Sequence, residues 1–211
     1  DSKTCRRFSP VPKNLGFRLD ECLAFNKQVA NLKSICFLKL RAIAKMKPFL
    51  TVKQMTMLVQ AVIISALDYC NALYYGCNKS VIRQLQVIQN RACRIIFGLK
   101  KRAAVDEKMQ SLHWLKIDER IVFKILLLVY KGIHGMAPSY ISELLSFNNT
   151  VTSSKRRSSL HISLQTHPRA FETAAPKLWH QLPSTIKSCE TIGLFKTLLK
   201  TYLFKKSYNL E

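Results

Sequence analysis

Acidic residues are scarce in this chain. Twelve Asp and Glu stand against 34 Lys and Arg, for a formal charge of +22 and a pI near 10.0. So large an excess repels itself in a compact chain and calls for a polyanionic partner, nucleic acid before anionic membrane. The deficit is concentrated. No acid occurs between Cys22 and Leu67, where Lys27, Lys33, Lys39, Arg41, Lys45, Lys47 and Lys53 lie. None occurs from Tyr69 to Val105, which holds Lys79, Arg83, Arg91, Arg94, Lys100, Lys101 and Arg102. A surface that is merely solvated usually intersperses both signs.

Other absences bound the chemistry. There is no Asp-Asp pair; the adjacent acids are Asp20-Glu21, Asp106-Glu107 and Asp118-Glu119. The last two sit at expected helix starts, where unpaired N–H groups and the macrodipole favour carboxylates. Two-metal phosphoryl transfer instead needs carboxylates gathered around both ions. The five histidines, His113, His134, His161, His167 and His180, lack H-E-x-x-H spacing. The seven cysteines, Cys5, Cys22, Cys36, Cys70, Cys77, Cys93 and Cys189, contain no C-x-x-C pair, so a zinc knuckle or ribbon is not supported. Only six glycines occur, with no phosphate-binding loop and no G-x-S-x-G. A Cys/His catalytic pair that meets in space stays open, but nothing marks one cysteine out.

The odd, loosely spaced cysteines read as reduced thiols and, within apolar helical runs, as small core residues. The opening DSKTCRRFSPVP carries no signal-peptide pattern. The longest apolar runs, Met55–Leu67 and Ile125–Tyr130, are too short to span a bilayer. The expected compartment is nuclear or cytoplasmic, not secreted, with no membrane partner. The first residue is Asp1 rather than Met, as in a fragment or a processed piece of a longer chain.

What is present is apolar material, 48% of the chain, in helical periodicity. Residues 1–20 read as a polar linker with a short strand over Leu15–Leu19. A first helix is expected from Leu23 to Met46, stopped by Pro48. Thr51 and Gln54 give a capping-box signature for a second, apolar and central helix running to about Tyr74. Asn78 caps a third, Lys79–Phe97, with Gly98 as its stop. In that helix Val81, Leu85, Ile88, Ala92 and Ile95 form an apolar stripe, and Lys79, Arg83, Asn90 and Arg94 a basic one that Lys100-Lys101-Arg102 prolongs. Residues 21–102 thus read as an antiparallel helical bundle.

Residues 103–211 read as a smaller helical unit. It holds a short helix at Asp106–Leu112, then an apolar helix capped by Asp118 and ended by Gly132 and Gly135. Pro138 opens another short helix, through Leu145. The basic, Ser/Thr/Asn-rich stretch 146–159 reads as a loop, and its Lys155-Arg156-Arg157 run suits an RNA contact, a nuclear-import signal or plain solvation. Leu160, Ile162 and Leu164 alternate as a brief strand, Ala174–Leu182 resumes helix, and Thr191 caps a last amphipathic helix to about Lys205. Trp114 and Trp179 read as packing anchors. Tyr69, Tyr74 and Tyr75 suit either base stacking or, more often, core. The fold class is therefore mainly α, with one or two short strands.

A longer pattern runs through the chain. Leu15-Gly16-Phe17 with Leu19-Asp20 resembles the LG-x-x-LD strand that follows the palm in jockey-like non-LTR (LINE-type) retrotransposon reverse transcriptases. The likeness continues through Leu67-Asp68-Tyr69-Cys70-Asn71, Leu85-Gln86-Val87-Ile88-Gln89-Asn90-Arg91-Ala92 and Leu112-His113-Trp114-Leu115. It goes on in Arg120-Ile121, Phe123-Lys124-Ile125, Tyr130-Lys131, His134-Gly135 and Ala137-Pro138. Arg169-Ala170-Phe171, Ala174-Ala175-Pro176, Leu178-Trp179, Leu182-Pro183 and Phe195-Lys196 close it. The order over Leu15 to Phe204 carries the resemblance, although His180 stands where the family usually has Asn.

The resemblance implies a thumb-like bundle and a post-thumb segment of an RNA-directed DNA polymerase. The family's catalytic aspartates, with their Mg ions, lie upstream of the LG-x-x-LD strand, so this piece is expected to hold no catalytic residue, metal or cofactor. Its expected partners are RNA and DNA as a primer–template duplex, and the palm and fingers of the parent polymerase. Gripping that duplex by its backbone needs Lys and Arg at phosphates. Arg83, Arg91, Arg94 and Lys100 to Arg102 are the leading candidates, with Arg41, Lys45 and Lys47 next and Lys155, Arg156 and Arg157 as a loop contact. Two other readings remain: a stand-alone or domesticated nucleic-acid-binding remnant, and a protein-interaction module using the apolar faces of residues 119–133 and 191–205.

Overall fold

The computed structural model describes residues 13–20, 22–145, 147–148, 159–160 and 169–210. The fold is mainly α, as expected, and divides into two compact units. The first comprises residues 1–70 and 77–98, the second residues 71–76 and 99–211.

The first unit opens with a hairpin. β1 (Lys13–Asn14) pairs antiparallel with β2 (Phe17–Arg18). Leu15 and Gly16 between them have φ of 47° and 81°, and a two-residue turn with both central φ positive matches the twist of paired strands. The single strand expected over Leu15–Leu19 is therefore a hairpin whose turn is Leu15-Gly16. Phe17 is buried edge-on to Phe25, ring centroids 5.5 Å apart.

Helix α1 spans Asn26–Met46, starting later than the periodicity implied, because Leu23 and Phe25 adopt left-handed φ. Val29, Cys36, Leu40 and Ile43 form its buried stripe. A 3-10 turn at Lys47–Phe49 follows, carrying Pro48. α2 (Val52–Val59) begins with the expected capping box: Thr51 Oγ1 accepts from Gln54 N at 3.3 Å and Gln54 Oε1 from Thr51 N at 2.9 Å. A π turn at Gln60–Ile64 leads into α3 (Ser65–Asp68). Met55, Val59 and Ile63 step by fours, which drifts an α-helical stripe by about 40° per step. The wider π turn counters the drift, and Ile63, Ile64 and Leu67 are all buried. Val52 and Met57 are apolar yet exposed, so this rod is apolar around much of its girth, as expected, but not enclosed as a central helix would be. It also stops at Asp68, short of Tyr74, because Tyr69 turns extended and Cys70 is left-handed at φ 53°.

α4 spans Lys79–Phe97. Asn78 Oδ1 accepts from Ser80 N at 2.9 Å at its start. Gly98, at φ +67°, closes it with N–H bonds to Arg94 and Ile95 carbonyls. The apolar stripe expected of it is buried, together with Gln89, Cys93 and Ile96.

The second unit contains α5 (Asp106–Ser111), α6 (Ile117–Ile133) and α7 (Ser139–Glu143). β3 (Phe147–Asn148) then pairs antiparallel with β4 (Ser159–Leu160). α8 (Phe171–His180), α9 (Ser184–Lys187) and α10 (Ile192–Tyr208) complete it. Thr191 caps α10 as expected, accepting from Leu194 N. Asp118 does not cap α6. The N-cap position is Lys116, and Asp118 and Glu119 occupy the first turn. Lys116 instead bridges to Asp106 of α5 at 3.1 Å. Gly132 does not end α6 but lies inside it, where a Cβ would sit 2.6 Å from Leu145 Cδ1; the turn beyond is Gly135, at φ +66°.

The core of this unit lies where α6 meets α8 and α10. Ile121, Ile125, Leu126, Val129 and Tyr130 face Ala175, Trp179, Phe195, Leu199 and Leu203, all buried. Residues 71–76, a 3-10 turn at Asn71–Tyr74 and its exit, pack on α6. Arg169 Nε donates to Tyr75 O at 3.3 Å. Trp114 and Trp179 are buried, as packing anchors should be, and so are Cys36, Cys93 and Cys189. Among the described residues, no helix is long and apolar enough to cross a membrane.

Candidate nucleic-acid interface

On α4 the buried positions and the basic positions divide the helix. At 3.6 residues per turn, Arg83 and Arg94 fall within about 20° of each other, on the side opposite Val81, Leu85, Ile88 and Ala92. Lys79 and Asn90 flank the same azimuth. Arg83 and Arg94 stand about 16 Å apart along the axis, too far to share one phosphate. Arg83 is exposed and Arg94 half-buried. Arg91 lies about 60° further round and is half-buried, so it shares the edge of this face rather than its centre. Beside the stripe runs an amide ladder: Gln86 Nε2 donates to Gln89 Oε1 at 3.0 Å and to Asn90 Oδ1 at 2.8 Å.

Arg41 and Lys45 are exposed, one turn apart, on the side of α1 opposite Leu40 and Ile43. Lys47 is placed differently. Its Nζ occupies the space where Gly98 would carry a Cβ. An ammonium there meets the negative end of α4, which is a structural role sufficient in itself. The C-terminal ends of α1 and α4 therefore lie together, with Lys45 and Arg94 in their last turns. Asp20 and Asp68 are the only acids among the described residues of this unit, and the Asp20 carboxylate accepts from Ala24 N.

Lys100, Lys101 and Arg102 belong to the second unit, in an exposed turn closed by Ala103 N donating to Lys100 O at 3.1 Å. Lys155, Arg156 and Arg157 lie outside the described residues. Of the tyrosines weighed for stacking, Tyr74 is buried. Tyr69 is half exposed and donates its hydroxyl to Leu15 O at 2.5 Å.

A second basic surface was not picked out by sequence. An open groove of about 750 Å³ runs along α10, lined by Lys196, Lys200 and Lys205 with Phe204, and by Phe123 and His113 across from them. The signal for it was faint: the lysine spacing on the last helix is also that of any solvated helix face. Among the described residues, none that lines the groove is an acid.

Titration in the second unit is governed by burial. Partial burial raises the carboxyl of Asp118, and it raises that of Glu119 against the opposing pull of Lys206, with Asp118 adding to the rise. In the first unit, burial pushes the Cys36 thiol up, which keeps it protonated and inert. Among the described residues no three His, Cys, Asp or Glu side chains converge as a metal-ligand set, and the acids do not fit a two-magnesium centre. No family model, curated protein or solved structure matches the chain.

Proposed function

We propose that this chain is the thumb-like and post-thumb portion of a non-LTR retrotransposon reverse transcriptase, and that it grips primer–template nucleic acid through the outward face of α4. The carrying observation is the division of α4 into a buried apolar stripe and an outward Arg83–Arg94 stripe, within a unit whose described residues hold only two acids. Arginines at different phosphates hold a duplex without reading its sequence, and each contact releases counterions. In this reading the polymerase chemistry belongs to aspartates upstream of the LG-x-x-LD segment, and the described residues supply the grip. The protein-interaction reading loses its main support, because the apolar faces of α6 and α10 close on each other: Tyr130 stacks on Phe195.

The test is binding of the chain to an RNA–DNA primer–template duplex across a salt series, beside a variant with Arg83, Arg91 and Arg94 reversed to Glu. A steep salt slope that becomes shallower in the variant is expected. Weak binding, or an unchanged slope in the variant, overturns the reading.

A further inference from the structure

The groove along α10 combines features that a duplex grip does not use. Lys196 and Lys200, both exposed, supply positive charge, with Lys205 further along the same helix. Phe204 and Phe123 are half-buried and His113 is exposed, and all three line the groove; the rings of His113 and Phe204 are 5.8 Å apart and tilted by 46°. His113 is held at a left-handed φ of 52° at the end of α5, a costly conformation for a residue with a side chain. Two hydroxyls lie on the same wall. Thr197 Oγ1 donates to Gly193 O at 3.1 Å and Thr201 Oγ1 to Thr197 O at 3.0 Å, one turn back on their own helix. With their protons so engaged, both threonines present acceptors to the groove, which suit a base N–H and not a phosphate oxygen.

We propose that this groove binds a single-stranded nucleic-acid segment, with phosphates on the α10 lysines and unpaired bases against Phe204 and Phe123. The inference rests on the nucleic-acid reading of the chain and adds a second, chemically different contact to it. A duplex keeps its base faces stacked inside, so an aromatic wall would gain nothing from it. A single strand exposes those faces, and stacking beside cations is the usual way to hold one without sequence preference. The Phe204 and Phe123 rings are half-buried in the groove wall. A membrane-surface helix instead projects its apolar residues outward.

The experiment measures binding of the full chain to labelled oligo(dT), to an abasic strand of the same length and charge, and to an RNA–DNA duplex. Two variants are compared with wild type. Phe204→Leu keeps apolar bulk but removes the stacking face, and the Lys196→Glu, Lys200→Glu pair is exposed on the helix and leaves the core intact. Both variants are expected to lose on the order of ten-fold in oligo(dT) affinity while duplex affinity stays within about two-fold. Wild type should bind the abasic strand about as weakly as Phe204→Leu binds oligo(dT). The proposal is overturned if the abasic strand binds as tightly as oligo(dT), if neither variant weakens it, or if an acidic peptide displaces oligo(dT) at equal charge concentration. Tight, salt-sensitive duplex binding with any of those results removes the groove proposal alone. Failure of the chain to bind any nucleic acid removes both readings.

Discussion

The ring of Tyr130 stacks on that of Phe195, with centroids 4.1 Å apart and planes 21° from parallel. On its other contact Tyr130 stacks against His134 at 3.9 Å, and its buried hydroxyl donates to Cys189 O at 2.9 Å. One side chain on α6 thereby fixes α10 by ring contact and the approach to α10 by a hydrogen bond. Burial also pushes its phenol up, so it stays a donor across the physiological range.

Tyr130→Phe keeps the stack and leaves the Cys189 carbonyl without this donor. A loss of about 1–2 kcal/mol is expected in urea unfolding. Phe195→Ala, which removes the ring from the core, should cost about 3–5 kcal/mol. If the two variants lose equal stability, the hydroxyl and not the stack is what holds α10 to α6.

Gly98→Ala places a Cβ at φ +67° and into the position of Lys47 Nζ. A loss of at least about 1 kcal/mol is expected from the backbone conformation alone. Lys47→Met, which keeps the stem and removes the charge at the end of α4, should cost about 0.3–1 kcal/mol. The double variant should cost less than the two added, because both act on one contact; strict additivity in denaturation midpoints would show that they do not.

Glu119 carries a folded-state pKa raised by burial, so at neutral pH its charge opposes folding. As pH falls through the folded pKa toward the unfolded one, the native state takes up the proton first and that penalty disappears. Relative to wild type, Glu119→Gln should therefore be favoured near neutrality and lose that advantage toward about pH 3. Thermal melts of the pair across that range check the sign; an advantage for the variant that grows on acidification would contradict it.

The three arginines of α4 are not equivalent. Replacing Arg83 and Arg94 together by Gln should lower the slope of log affinity against log salt by about 2, one for each phosphate contact. Replacing Arg91, which lies at the edge of the face, should lower it by clearly less than 1. Equal effects from all three would place the duplex across the Arg91 side instead.

Much of this architecture was readable because local chemistry and packing agree. Thr51 with Gln54, Asn78, Gly98 and Thr191 mark helix ends by specific backbone hydrogen bonds, and the structure makes each of them. The stripe of α4 was equally plain, since a period of three and four has few other meanings. The misreadings occurred where conformation departs from what periodicity encodes. Nothing in Leu15, Leu23, Phe25 or Cys70 signals a left-handed φ, yet these residues turn a strand into a hairpin, delay α1 and break the second helix. Gly132 looked like a stop and is a point of close approach by Leu145, which depends on residues thirteen positions away. The α10 groove is a property of three separated segments, so no window of sequence contains it.

The short excursion of residues 71–76 into the second unit has a practical meaning for anyone who cuts this gene. The polypeptide passes between units after Cys70, returns after Gly76 and leaves again after Gly98. A stop codon at Gly98 would not release a clean bundle: it would leave Asn71 without the Arg120 carbonyl and Tyr75 without Arg169. The complementary clone, starting at Leu99, would expose the surface of α6 that those six residues cover. Neither unit is one continuous stretch of the described chain, and deletion mapping that cuts at a single boundary will score loss of folding as loss of function.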